Sequence, residues 1–194
     1  MLIFLFPKIY QKELLNMAYD ISDLYQRYPE LRKIDYSISE AFSILKSSIG
    51  KGGTVFVCGN GGSASDGEHI VGELMKSFII KRKKDRNFRD KASSALGKEE
   101  GERISDLLED GMRAISLNSQ LAFTTAFIND VCAESVYAQQ LHVLGREGDV
   151  LVGISCSGNS ANVLNALKVS KISGVRSILF TGAGGGECAK FAEC

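Results

Sequence analysis

Thr54-Val-Phe-Val-Cys58 is a short β-branched and aromatic run that stops at Gly59-Asn-Gly-Gly-Ser63, and a helix-period segment begins at once behind it. A strand turning through glycines into a helix leaves the chain few options, because the helix must fold back onto the sheet it has just left. The same arrangement points backbone N–H groups and the positive end of a helix dipole at an anion. His69 and Glu73 are four residues apart, so on a helix they share a face, with Asp66 on the same stripe. One element therefore offers an anion cradle and a carboxylate–imidazole pair, which reads as half of an active site.

The alternation continues. Strands are predicted at Thr54–Cys58, Arg113–Leu117, Asp149–Ser155 and Arg176–Thr181, and helices at Ser63–Phe78, Asp130–Leu144 and Ser160–Ser173. Continuously apolar strands such as Val150-Leu-Val-Gly-Ile154 suit a sheet buried on both faces. The expected fold is α/β, a three-layer sandwich around a mostly parallel sheet. Two amphipathic segments, Tyr10–Tyr28 and Asp35–Ile49, precede it as N-terminal helices within residues 8–50. The whole of 1–194 reads as one domain, with its α/β core at 54–194 and a charged insertion, Lys81–Gly111. The insertion's first part is basic and its second acidic, which predicts a solvated, partly helical excursion that neutralises itself.

With 23 basic and 23 acidic side chains the formal net charge is zero, so nothing electrostatic recommends nucleic acid or a membrane as partner. Met1–Phe6 is apolar, but Pro7-Lys8 ends it too early for a signal peptide or a span. Five scattered cysteines without a C-x-x-C pair indicate a reduced, cytoplasmic protein. Cys58 and Cys156 are both expected to be small buried residues at strand ends.

Gly59-Asn-Gly-Gly-Ser-Ala64 matches the dinucleotide pattern G-x-G-x-x-A only formally, since the next strand ends in Ser116-Leu-Asn118 without an acidic residue for a ribose. Gly153-Ile-Ser-Cys-Ser-Gly-Asn-Ser160 is one residue from a Walker A loop, with Asn159 where its lysine would stand. Three hydroxyls (Ser155, Ser157, Ser160), backbone N–H groups and a helix dipole suit one phosphate monoester better than a triphosphate. The plainer reading makes Ser160 an N-cap and the other two serines turn residues. Glu73, held near sugar carbons, could move a proton between adjacent carbons. His69 with Glu73 could supply two ligands to zinc, too few alone for a tetrahedral site. His142 is adequately explained by a helix C-terminus.

G-N-G-G-S, H-x-x-x-E, Asn129-Asp130 and the block Gly145–Ser160 together resemble the sugar isomerase (SIS) domain family, most closely its phosphoheptose isomerases. The resemblance spans roughly Tyr10 to Thr181. It implies a homotetramer with one zinc per subunit that interconverts sedoheptulose 7-phosphate and D-glycero-D-manno-heptose 7-phosphate in heptose biosynthesis. By motif position, Asn60, Gly61, Gly62, Glu73, Asn129, Asp130, Ser155, Cys156, Ser157 and Ser160 would contact the sugar phosphate. Glu73 would be the catalytic base and, with His69, a zinc ligand. A C-terminal helix of the family supplies a Gln and a His that complete the zinc site; it has no counterpart before Cys194. The expectation is therefore a chain that lacks its closing strand and helix, leaves a sheet edge poorly covered and carries half of a catalytic pair. The alternatives are a non-catalytic SIS protein that binds a sugar phosphate or a replication initiator, and SIS enzymes acting on aminosugar or arabinose phosphates.

Overall fold

The computed structural model describes residues 21–77 and 81–194. The N-terminal apolar run, most of the Tyr10–Tyr28 segment and Phe78 lie outside the described residues. Four strands form one all-parallel sheet: β1 (Val55–Gly59), β2 (Ala114–Ser116), β3 (Val150–Ser155) and β4 (Arg176–Thr181). Their order is β2-β1-β3-β4. The helices are α1 (Ser22–Arg27), α2 (Asp35–Gly50), α3 (Gly62–Met75), α4 (Arg86–Leu96), α5 (Lys98–Leu107), α6 (Leu121–Asp130), α7 (Val136–Leu144) and α8 (Ala161–Ile172).

Alternate residues of β1 point to opposite faces, as strand geometry requires. Val55 and Val57 join Ile44, Leu45 and Ile49 of α2 and Val71 and Leu74 of α3 in one core. Phe56 and Cys58 join Tyr137 and Leu141 of α7 and Val163, Ala166 and Leu167 of α8 in the other. Two cores flanking one sheet are the three layers expected. Each fully buried Phe or Leu in them contributes about 1.5–3 kcal/mol over an exposed one.

A buried carboxylate sets the register. Asp149, just before β3, is 6% exposed. Its Oδ1 accepts from the Thr54 N–H at 2.7 Å and its Oδ2 from the Arg146 N–H at 2.8 Å. Its backbone carbonyl accepts from the Arg176 N–H at 3.0 Å, so one residue ties the starts of β1, β3 and β4.

The structure corrects several boundaries. Asp130–Leu144 is not one helix: α6 ends at Asp130, a 3₁₀ turn covers Ala133–Ser135, and α7 follows. On α3, Val71 and Leu74 are buried, whereas Met75 at its end is 56% exposed. The outer edge of β4 is not bare, because the Leu179 N–H donates to the Cys194 carbonyl at 2.8 Å and the Cys194 N–H to the Ser177 carbonyl at 3.2 Å. Arg176 adds an ion pair to Glu193.

The insertion is an α-helical hairpin. α4 contains no buried residue, and α5 buries only Gly101 and Ser105. Shape rather than apolar area joins them: a Cβ on Gly101 would stand 2.4 Å from the Ser93 nitrogen, so only glycine permits this approach. At its root, Lys83 and Glu109 form an antiparallel bridge. The Arg82 guanidinium donates to the carbonyls of Asp110 (2.7 Å), Leu74 (3.0 Å) and Lys76 (2.5 Å), pinning the end of α3 to both legs of the hairpin. Burial lowers the Arg82 pKa from its ordinary value, with Glu109, Asp110 and Glu73 opposing that shift.

Replacing Asp149 with Ala strands two backbone N–H groups. It is expected to lower unfolding free energy by about 2–4 kcal/mol, with Asp149→Asn losing less because one acceptor survives. Urea denaturation, read as a shift in midpoint at constant slope, checks this.

Candidate functional site

β1 runs left to β2 and the chain returns to the other side of β1 as β3, so the strand order reverses between β1 and β3. The crevice outside the carboxyl ends at such a reversal is where open α/β sheets bind ligands. Both glycine loops end there: β1 runs into Asn60–Gly61 and β3 into Cys156–Ser160, with Gly59 in register with Ile154.

Neither following helix is capped by the side chain of its N-cap residue. The N-cap of α3 is Gly61, and at α8 the N-cap Ser160 makes no side-chain capping bond. Ser160 instead receives a hydrogen bond from the Ser155 hydroxyl at 3.0 Å. Ser160 thus stands at the N-cap position without capping through its hydroxyl. The Ser63 and Ala64 N–H groups donate to the Asn60 and Gly61 carbonyls and the Val163 N–H to Asn162 Oδ1, and the positive ends of both helix dipoles lie at the crevice. Ser157 accepts from the Asn159 N–H at 3.2 Å, closing the turn. Gly158 has φ +66°, and a Cβ there would lie 2.0 Å from the Gly185 carbonyl oxygen. The Gly182–Gly186 run therefore buttresses this loop, with the Cys188 N–H donating to the Gly158 carbonyl at 2.8 Å. A five-residue stretch with four glycines was the sequence signal for it.

Cys156 is exposed rather than buried, its sulfur 3.8 Å from the Ser63 hydroxyl across the crevice. It lies past the end of β3, where no second layer covers it. Cys58, inside β1, is buried as expected, and burial together with the neighbouring Cys188 pushes its thiol up to about 12.

The first loop is held by residues the motifs did not single out. The Asn118 amide donates to the Gly59 carbonyl and to the Tyr137 hydroxyl, both at 2.7 Å. Tyr137 reaches the same carbonyl at 2.7 Å and Asn60 Oδ1 at 3.1 Å. Burial raises the Tyr137 pKa, so the phenol stays protonated and able to donate. Asn118 had a sequence signal, a polar residue ending the neighbouring strand; Tyr137 had none beyond its place on a helix.

Glu73 lies elsewhere. α3 runs 14 residues from Gly62, and at 1.5 Å per residue Glu73 stands roughly 16 Å along the axis from its start. Anion loop and carboxylate thus stand at opposite ends of α3. Asn129 and Asp130 end α6 on the surface, bonded to one another at 2.7 Å.

Around Glu73 the chemistry is suggestive. Its side chain is 15% exposed, Oε1 lies 2.9 Å from Lys76 Nζ and 3.7 Å from His69 Nε2, and Oε2 is buried without a hydrogen-bond partner. Native folds rarely leave such an oxygen unsatisfied, because it forfeits about 1–3 kcal/mol. Two ligands of a tetrahedral zinc stand about 3.4 Å apart, so the 3.7 Å separation fits His69 and Glu73 as a ligand pair. Among the described residues no group of three or more His, Cys, Asp and Glu is gathered for a metal, so the pair is a partial set. Among them, too, no helix is long and apolar enough to cross a membrane.

Cys156 is expected to be alkylated by iodoacetamide at least about tenfold faster than Cys58, since buried high-pKa thiols are inert. Inorganic phosphate should slow the Cys156 reaction alone; peptide mass spectrometry over time reads both.

No family model matches the chain. The phosphoheptose isomerase of Desulfovibrio desulfuricans is 34% identical over 145 residues, covering 75% of this chain and 56% of that protein. That of Akkermansia muciniphila is 31% identical over 178 residues, covering 92% of this chain and 78% of that protein. The chain thus spans little more than half the length of the first of these relatives. The structure of phosphoheptose isomerase GmhA from Neisseria gonorrhoeae superposes with a TM-score of 0.64 at 28% identity, covering 89% of this chain and 76% of that one. By its glycine loops at the reversal of a parallel sheet and by these shared sequences, the chain belongs to the phosphoheptose isomerase family.

Proposed function

We propose that this chain is an aldose–ketose isomerase that converts sedoheptulose 7-phosphate to D-glycero-D-manno-heptose 7-phosphate in heptose biosynthesis, with Glu73 as its base. The observation that carries the proposal is the buried, unpartnered Oε2 of Glu73, a carboxylate oxygen shielded from water with nothing to satisfy it. Family membership supplies the substrate class.

The sugar's phosphate is bound at the positive ends of the α3 and α8 dipoles with the hydroxyls of Ser155, Ser157 and Ser160, while the backbone of Asn60, Gly61, Gly62 and Cys156 lines the crevice. Asn129 and Asp130 contact sugar hydroxyls. Glu73 removes a proton from C1 of the ketose to give an enediol. Return of that proton to C2, with the hydroxyl proton passing from O1 to O2, yields the aldose. The roughly 16 Å between Glu73 and its own loops supports assembly, in which the base of one copy serves a sugar held by another. A homotetramer is the assembly we propose, and apolar residues left exposed on and after α6 (Leu121, Ile128, Val131) support it.

His69 and Glu73 would hold one zinc per subunit, with the remaining ligands drawn from outside this pair. A zinc ion there would polarise the sugar oxygens beside the carbon that loses its proton. Lys76, now paired with Glu73, would have to give way. All five cysteines are free thiols, which supports a cytoplasmic setting.

Glu73→Gln is isosteric and removes the base. Turnover of sedoheptulose 7-phosphate in a coupled assay should fall by at least about 10²-fold. Undiminished turnover by that variant would remove Glu73 from the mechanism. Zinc content by plasma mass spectrometry should fall in both Glu73→Gln and His69→Ala.

A further inference from the structure

Outside the family motifs, one contact joins the two ligand loops side chain to side chain. Asn60 Nδ2 donates to Asn162 Oδ1 at 2.9 Å, and Asn162 Nδ2 donates back to Asn60 Oδ1 at 2.9 Å. The orientation of both amides is set from one end of the pair. The Val163 N–H donates to Asn162 Oδ1 at 3.0 Å, so that atom is an oxygen and the Asn60 atom facing it must be the donating nitrogen. Asn60 Oδ1 accepts from Asn162, and one of the two Asn60 amide protons is committed to the same partner, which leaves the other proton for a ligand.

We infer that Asn162 is a positioning residue: its reciprocal amide pair with Asn60 clamps the first glycine loop to the start of α8, so that the N-termini of α3 and α8 converge on a single phosphate. The inference rests on the proposed sugar-phosphate site and adds a residue that site's motifs do not name. The Asn60 side chain then serves as the other half of the clamp. The clamp matters because the two loops belong to different strands and share few other links. Among the described side chains, the Ser63–Cys156 approach at 3.8 Å is the other direct one. Without the pair each loop remains anchored to its own strand, while the spacing between the two helix N-termini is released. Ligand binding is sensitive to such spacing, because a ligand must otherwise reassemble the site at the expense of its own affinity.

The test uses the full chain with Asn60→Ala, Asn162→Ala and the double variant. Hydrogen exchange followed by mass spectrometry should show faster exchange over 59–64 in Asn162→Ala, a hundred residues away in sequence, and over 155–161 in Asn60→Ala. Thermal midpoints should stay within about 2 °C of the parent, since both side chains are surface ones. Each single variant should raise KM for sedoheptulose 7-phosphate about tenfold with kcat changed less than about threefold, and the double variant should be no worse than either single. Asn162→Asp keeps the acceptor for Asn60 and Val163 but loses the donor, and should fall between parent and Asn162→Ala. Unchanged exchange in the opposite loop, or KM effects that multiply in the double variant, would overturn the clamp. If the parent chain turns over no sugar phosphate, the proposed function fails but the exchange measurement still decides the clamp.

Discussion

Asp149 is the residue on which the rest of the architecture leans. A carboxylate out of solvent is tolerable only where donors surround it, and here two backbone N–H groups and a strand start supply the reason for its burial. Once the starts of β1, β3 and β4 are tied at one end, their carboxyl ends are level at the other. The two glycine loops emerge side by side because their strands begin side by side. The functional end of the sheet is thus placed from the opposite end.

Much of the fold was legible because burial on both faces leaves a strong imprint. All four strands fall within one residue of the ends expected from their apolar runs, and α2 and α8 follow their periodic patterns. Legibility failed where apolar periodicity stops being the organising force. α6, Leu-Ala-Phe-Thr-Thr-Ala-Phe-Ile-Asn-Asp, fully buries none of its residues and meets the core only through the partly buried Phe123 and Phe127, and its end was mistaken for the start of the next helix. The hairpin is joined by close approach at Gly101, a signal that hydrophobic patterning does not register. The charge blocks, expected as a solvated and partly helical excursion, lie on two helices that bury almost none of their residues.

The candidate site shows the same division. Motifs located the ligand loops and the His69–Glu73 pair, because spacing along one segment carries that information. They were silent on what holds the loops, since Asn118, Tyr137 and Asn162 come from three separate elements and meet only in the folded chain. They also misjudged Cys156, for which proximity to a strand end did not mean inclusion in the strand. α3 works as a ruler: it fixes anion loop and carboxylate at opposite ends of one rigid rod.

The hairpin root has a further consequence. Both legs leave and re-enter the core at a single bridge between Lys83 and Glu109, with Arg82 sealing the end of α3 beneath them. To the sheet, the link from α3 to β2 is therefore a short one, however much chain is threaded through the bridge. Excursions of very different length could be exchanged at this point with little change in the loop-closure entropy of the core. The surface the hairpin presents can thus diverge freely while the crevice beyond β1 and β3 keeps its geometry.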